Sequence, residues 1–164
     1  MQNSFKEKFL NDFEPNQNIA RKICRLYTSN KSDHNDLFQE ITIQLWKNYP
    51  KFRGDAKFST WMYRVALNTA ISLYRKSTRT IKTNDISDVV YKIKSVEYDD
   101  TEEQQLKSLY KAIRGLNDID KALVFLYLED KNYKEISATL GISEVNARVK
   151  MNRAKDKLKK ILNP

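Results

Sequence analysis

Residues 132–162, NYKEISATLGISEVNARVKMNRAKDKLKKIL, decide how the C-terminal third of the chain folds. The spacing predicts a short helix from Tyr133 to Leu140, with Ile136 and Leu140 inward. Gly141 stands where that helix must end, since a left-handed backbone costs glycine least. Ile142 can plug the core. Ser143 is placed to cap the next helix, with Glu144 in its first turn near the positive end of the helix dipole. In that helix Ala147, Met151, Ala154, Leu158 and Ile161 step by four, three, four and three, which makes one apolar stripe. Together these features predict a helix-turn-helix. The opposite face carries Val145, Val149 and Asn152, flanked by Asn146, Arg148 and Arg153. β-Branched aliphatics on a solvent face bring no helix stability. They do suit a DNA groove, where apolar groups meet the thymine methyl. Arg148 and Asn152 are then expected at base edges, and Lys150, Lys155, Lys157, Lys159 and Lys160 mostly at phosphates. The plain alternative is a basic, solvated C-terminal helix.

Upstream, Leu106, Leu109, Ile113 and Leu116 outline a short amphipathic helix. Asp118 then starts DIDKALVFLYLED, with Ile119, Ala122, Leu123 and Leu126 inward. The distribution of charge divides the chain. Residues 1–78 carry 13 Lys/Arg and 7 Asp/Glu, residues 79–104 carry 4 and 7, and residues 105–164 carry 13 and 7. An acidic connector, 79–104, therefore separates two basic blocks, 1–78 and 105–164. With only three Gly and three Pro, both blocks should be helical, giving an all-α chain of two small domains. Within the connector, DVVYKI (88–93) has the look of a strand or a docking segment.

In the first block, residues 4–13 and 18–28 read as helices separated by Pro15. Ser32 or Asp33 is placed to cap a third, roughly 34–49, with the stripe Leu37, Phe38, Ile41, Leu45 and Tyr49. Ile43 and Trp46 fall outside that stripe. His34 is expected to be solvated near the helix start. Gly54 marks a turn. Ser59 to Lys76 is one helix, or two meeting near Asn68–Thr69, where helix propensity dips. Its inner side is Phe58, Trp61, Met62, Val65, Thr69 and Leu73. Another side repeats Thr60, Arg64, Asn68 and Arg75. The stretch Phe52 to Arg79 holds five aromatic and six basic residues against one acid, Asp55. Rings beside cations suit base stacking and phosphate neutralisation. They equally suit a core helix with a solvated basic edge.

The formal net charge of +9 points to a polyanionic partner, nucleic acid before an anionic membrane surface. No apolar run is long enough to span a bilayer, and MQNSFKEKFLNDF lacks the apolar core of a signal peptide, so a cytoplasmic protein is expected. The single cysteine, Cys24, excludes an internal disulfide and is expected to be buried and unreactive. No carboxylate cluster, metal-ligand set or nucleophile–base pair stands out, so no catalytic residue, metal or cofactor is expected.

Read together, DLFQEITIQLW and FRGDAKFSTWMYRVALNTAISLYRK resemble the second conserved region of sigma-70 family factors. The motif FRG-D/E-x-x-F-x-TW-x-YR-x-A-x-N is matched from Phe52 to Asn68. LNDIDKALVFLYLEDKNYKEISATLGISEVNARVKMNRAKDKL is similar to their fourth region. Nothing between them resembles the third, which is the layout of the extracytoplasmic function (ECF) subfamily. The resemblance implies a transcription initiation factor. It implies that Asp36, Leu37, Gln39, Glu40 and Trp46 dock on the clamp helices of core RNA polymerase. It implies that Trp61, Arg64 and Asn68 open the minus ten element, Asn68 holding a flipped base, with Arg75 and Lys76 on phosphates. It places Asn146, Arg148, Val149, Asn152, Arg153 and Lys155 at the minus thirty-five element. A monomer when free and an anti-sigma partner are implied too. The chain departs from the family with Asn117 where Pro often follows the leucine. It also has Val145-Asn146-Ala147 in place of Gly-Thr-Val, and Val149 in place of Ser. A helix-turn-helix regulator acting without polymerase is the alternative.

Overall fold

The computed structural model describes residues 2–83 and 104–163, and every regular element among them is helical. Helix α1 (Gln2–Phe13) passes through a 3-10 turn at Glu14–Asn16 into α2 (Gln17–Tyr27), with Pro15 in the turn. Helix α3 (Lys31–Asn48) and α4 (Phe58–Thr83) complete the first domain. The second holds α5 (Gln104–Arg114), α6 (Asp118–Leu128), α7 (Tyr133–Leu140) and α8 (Glu144–Leu162). The segment 88–93, expected to be a strand or a docking element, lies outside the described residues.

Helices α2, α3 and α4 pack against one another as a bundle. Ile23, Cys24, Leu26, Ile41, Leu45, Met62 and Leu67 lie at its centre, each almost fully buried. Helix α1 is pinned across one end by rings. Phe9 meets Trp46, Tyr49 and Phe58 edge-on, at centroid distances of 5.2, 5.1 and 6.5 Å. Edge-to-face contacts of this kind add to the area they bury. Tyr49 also donates its hydroxyl to Asp12 at 2.6 Å, tying α1 to the end of α3. Cys24 is fully buried as expected, and burial pushes its thiol up to about 12.

Two local expectations, the cap of the third helix and the exposure of His34, are corrected, and the one-helix alternative for α4 holds. Helix α3 begins at Lys31, capped by Asn30 rather than by Ser32 or Asp33. The Asn30 side chain accepts the Asp33 N–H at 2.8 Å and returns a bond to the Asp33 carboxylate at 2.9 Å. That earlier start places His34 a turn inside the helix, facing α2, so it is buried rather than solvated. Its Nε2 lies 3.4 Å from the Arg21 guanidinium, which stacks on the Phe38 ring at 3.6 Å. Helix α4 runs unbroken through Asn68–Thr69, because the Thr69 hydroxyl donates to the Val65 carbonyl and satisfies itself within the helix.

In the second domain α5, α6 and α7 all pack on α8. Gly141 takes the left-handed conformation (φ 71°) and Ser143 caps α8, both as expected. The stripe holds for Ala147, Met151, Ala154 and Leu158, but Ile161 is exposed. Leu73 and Leu106, also expected inward, are exposed at their helix edges. Asn117, which departs from the expected proline, caps α6 by accepting the Asp120 N–H at 2.8 Å. Helix α6 is buried continuously from Asp120 to Leu126, because it lies between α7 and α8 on one side and α2 and α4 on the other.

Candidate nucleic-acid and polymerase interface

Helix α4 presents Thr60, Arg64 and Asn68 to solvent in successive turns. Trp61 is half-buried at the edge of this strip. It leans on Phe52 at 5.2 Å and Phe58 at 5.5 Å, with Tyr49 at 6.4 Å, so its ring is held from one side. The chain reaches this helix through a turn at Gly54, whose φ of 80° a side chain rarely adopts. Most rings of the Phe52–Arg79 stretch therefore pack. The cations stand outside them, and Arg64 is solvent-exposed.

On α3, Asp36, Gln39 and Trp46 are exposed and Glu40 is half-buried. Leu37 is 6% exposed, packed in the core, so its side chain offers no surface to a partner. Trp46 stands beside Phe5 at 5.4 Å, which widens the apolar patch on this side of the bundle. Between α3 and α4 runs an open groove of about 470 Å³, lined by Glu40, Gln44, Asn48, Asn68, Thr69 and Ser72 among others. Glu40 accepts from the Gln44 amide at 3.0 Å, and Asn48 donates to the Gln44 carbonyl at 2.8 Å. The groove thus brings Glu40 and Asn68 together. Gln44, Asn48 and Ser72 were not singled out from sequence. Their spacing of four from Glu40, from Gln44 and from Asn68 was the available signal.

Helix α8 turns Val145 (69% exposed) and Val149 (41% exposed) outward, together with Asn146, Arg148, Asn152 and Arg153. Arg148 is braced over the Tyr133 ring at 5.2 Å, and half-buried Lys155 over the Tyr127 ring at 4.7 Å. These rings restrict the motion of two cations beside the apolar face. Arg75 and Lys76 are exposed, and Arg75 Nε pairs with Asp118 across the domain boundary. Among the described residues, no group of three or more His, Cys, Asp or Glu could hold a metal ion. No described helix is long and apolar enough to cross a membrane.

A helix-turn-helix with an outward basic and aliphatic face, joined to a helical bundle with a second basic strip, defines a two-domain DNA-binding protein. Comparison with known proteins agrees. Residues 13–80 match the model of sigma-70 region 2, and residues 106–158 that of sigma-70 region 4. The chain is 30% identical over 129 residues to the RNA polymerase sigma factor SigZ of Bacillus subtilis (strain 168), covering 77% of this chain and 71% of that protein. It is 25% identical over 157 residues to the ECF RNA polymerase sigma-E factor of Escherichia coli (strain K12), covering 89% and 81%. Its fold matches that of the sigma factor RpoE in a complex with the anti-sigma factor NepR from Bartonella quintana. That match has a TM-score of 0.77 at 18% identity and covers 95% of this chain and 97% of the other. The chain belongs to the sigma-70 family of RNA polymerase sigma factors, in its ECF subfamily.

Proposed function

We propose that the first domain binds the clamp helices of core RNA polymerase and melts the minus ten element, while the second reads the minus thirty-five element. The observation that carries this is the Arg64–Asn68 pair, one turn apart and exposed beside the α3–α4 groove. Arg64 supplies a charge for phosphate or guanine, and Asn68 a paired donor and acceptor for a base edge. Unstacking costs a few kcal/mol per base, which capture of a flipped base in a pocket offsets. Trp61 is the neighbouring stacking surface, and Lys76 meets the backbone. Arg75 joins it once released from Asp118. Asp36, Gln39, Glu40 and Trp46 form the polymerase-facing side of α3, without Leu37. On α8 the base-facing set is Asn146, Arg148, Val149, Asn152 and Arg153, with Lys155 on phosphate. The protein has no catalysis of its own, works in the cytoplasm as a monomer when free, and answers to an anti-sigma protein.

In vitro transcription with core enzyme tests the melting role. Asn68→Ala and Arg64→Ala should lower open-complex formation without lowering polymerase binding. Initiation equal to the parent in both would remove the role. Arg148→Ala should cost about 1–3 kcal/mol of promoter affinity. Stoichiometric co-purification with core polymerase separates this reading from a free-standing regulator, which would bind an operator alone.

A further inference from the structure

Two tyrosines stand along one edge of α8. Tyr127 lies in the last turn of α6, and Tyr133 is the first residue of α7. Both helices pack on α8. The Asn132 side chain accepts the Glu135 N–H at 2.8 Å and so fixes the start of α7. The Tyr133 ring is half-buried against the core, while Tyr127 is 40% exposed. Each ring carries a cation of α8. The Arg148 guanidinium lies 5.2 Å from the centre of the Tyr133 ring, and Lys155 Nζ 4.7 Å from that of Tyr127. Arg148 and Lys155 are seven residues apart, two helical turns, so both stand on the same edge of α8, about 10.5 Å apart along its axis. Val145, Val149 and Asn152 lie beside them on the exposed face.

These two cations are held differently from Lys22, Arg75 and Lys157, which pair with the carboxylates of Glu129, Asp118 and Asp120. Among the described residues, no carboxylate pairs with Arg148 or Lys155. A carboxylate that positions a cation also neutralises it, and a phosphate or base must then displace it. A ring face attracts the same cation and restricts its rotamers, yet leaves its net charge and its N–H donors for a ligand. A long side chain held in this way loses less freedom when it binds. The consequence differs between the two. A guanidinium makes a planar, bidentate match to one base edge, whereas an ammonium is a point charge to which every phosphate is equivalent.

We propose that Tyr133 and Tyr127 are positioning residues for reading the upstream promoter element. Tyr133 aims the Arg148 guanidinium at one base pair, so its ring sets sequence discrimination. Tyr127 holds Lys155 at the backbone, so its ring sets affinity for any sequence. The proposal rests on the reading of α8 as the DNA-facing helix.

The test uses the full chain bound to core polymerase, and duplex DNA that this holoenzyme selects from a random library. Each base pair of the upstream element is then replaced in turn. Arg148→Ala identifies the pair that the arginine reads, by a loss of discrimination there. Tyr133→Leu and Tyr133→Met remove the ring and keep an apolar side chain. Either should lower discrimination at that same pair several-fold and spare the others, with Tyr133→Phe restoring the parent's preference. In an Arg148→Ala chain the same changes should cost nothing further. Tyr127→Leu should weaken binding to every sequence alike, several-fold at low salt and less at high salt, with the preferences intact. A loss from Tyr133→Leu and Tyr133→Met that is equal at all pairs, or that persists without Arg148, would mean that the ring only packs and would overturn its positioning role. Tyr127→Leu binding as tightly as the parent would overturn the other half. If Arg148→Ala relaxes no pair, the base-facing assignment of Arg148 fails, and the role of Tyr133 with it. A pair relaxed by Arg148→Ala but untouched by the Tyr133 variants overturns the positioning role alone.

Discussion

His34 illustrates how one residue responds to a boundary set elsewhere. Because Asn30 caps α3, His34 is packed against Arg21, and burial, with Arg21 and Arg25, lowers its pKa to about 4. The folded state therefore binds fewer protons than the unfolded one between about pH 4 and the ordinary histidine value of about 6.5. Stability should be full above that range and fall as pH drops through it. Thermal melts at pH 7 and pH 5 should show a loss that a His34→Gln chain lacks; equal losses would assign the slope to carboxylates instead. Gly141 gives a second prediction. Gly141→Ala places a side chain at φ 71° and should cost about 1 kcal/mol in denaturant unfolding. Gly141, Ser143 and Cys24 were legible in the sequence because each is decided by its immediate neighbours. His34 was not, because its burial is decided by Arg21 on a neighbouring helix, 13 positions away.

Helix α8 has two faces with separate duties, and the two can be broken separately. Met151→Ala opens a cavity beneath α8 and should cost about 2–5 kcal/mol, read as a fall in melting temperature. Val149→Ala, on the exposed face, should leave that temperature nearly unchanged and alter the affinity for promoter DNA. A large stability loss from the valine would mean that its face is packed. The apolar stripe was readable because a helix repeats its neighbours every three or four residues. Helix α4 was read less fully. Its stripe of Phe58 and Met62 was visible, but Tyr63, Ala66, Leu67, Ala70 and Ile71 are buried too, because α4 is covered on more than one side. The α3–α4 groove escaped notice for a related reason: its lining comes from both helices, and neither share is distinctive alone.

At the scale of the whole molecule, the junction between the domains was not legible. Lys22 pairs with a residue 107 positions away, and Arg75 with one 43 away. Nothing local in either segment reports the other. The junction makes docking sensitive to pH. Burial, opposed by Asp118 and helped by Arg114, lowers Lys121 to about 8. Tyr27 and Tyr74 complete its surroundings, with Arg75 held by Asp118. Opened to water, the lysine returns to about 10.4, so the docked form binds fewer protons and gains stability as pH rises from about 8. Scattering should report a more compact chain at pH 9 than at pH 7, a difference that Lys121→Met abolishes. Above about pH 10 the trend reverses, because in the docked form burial, with Asp118 beside Tyr27 and Glu129 beside Tyr63, holds both hydroxyls neutral. The same long separations bear on how the protein is made. At about 5–20 residues per second, the ribosome needs several seconds to go from Tyr27 and Tyr74 to the end of α6. Throughout that interval the nascent first domain lacks the partners that Lys22, Tyr27 and Tyr74 meet in the finished chain.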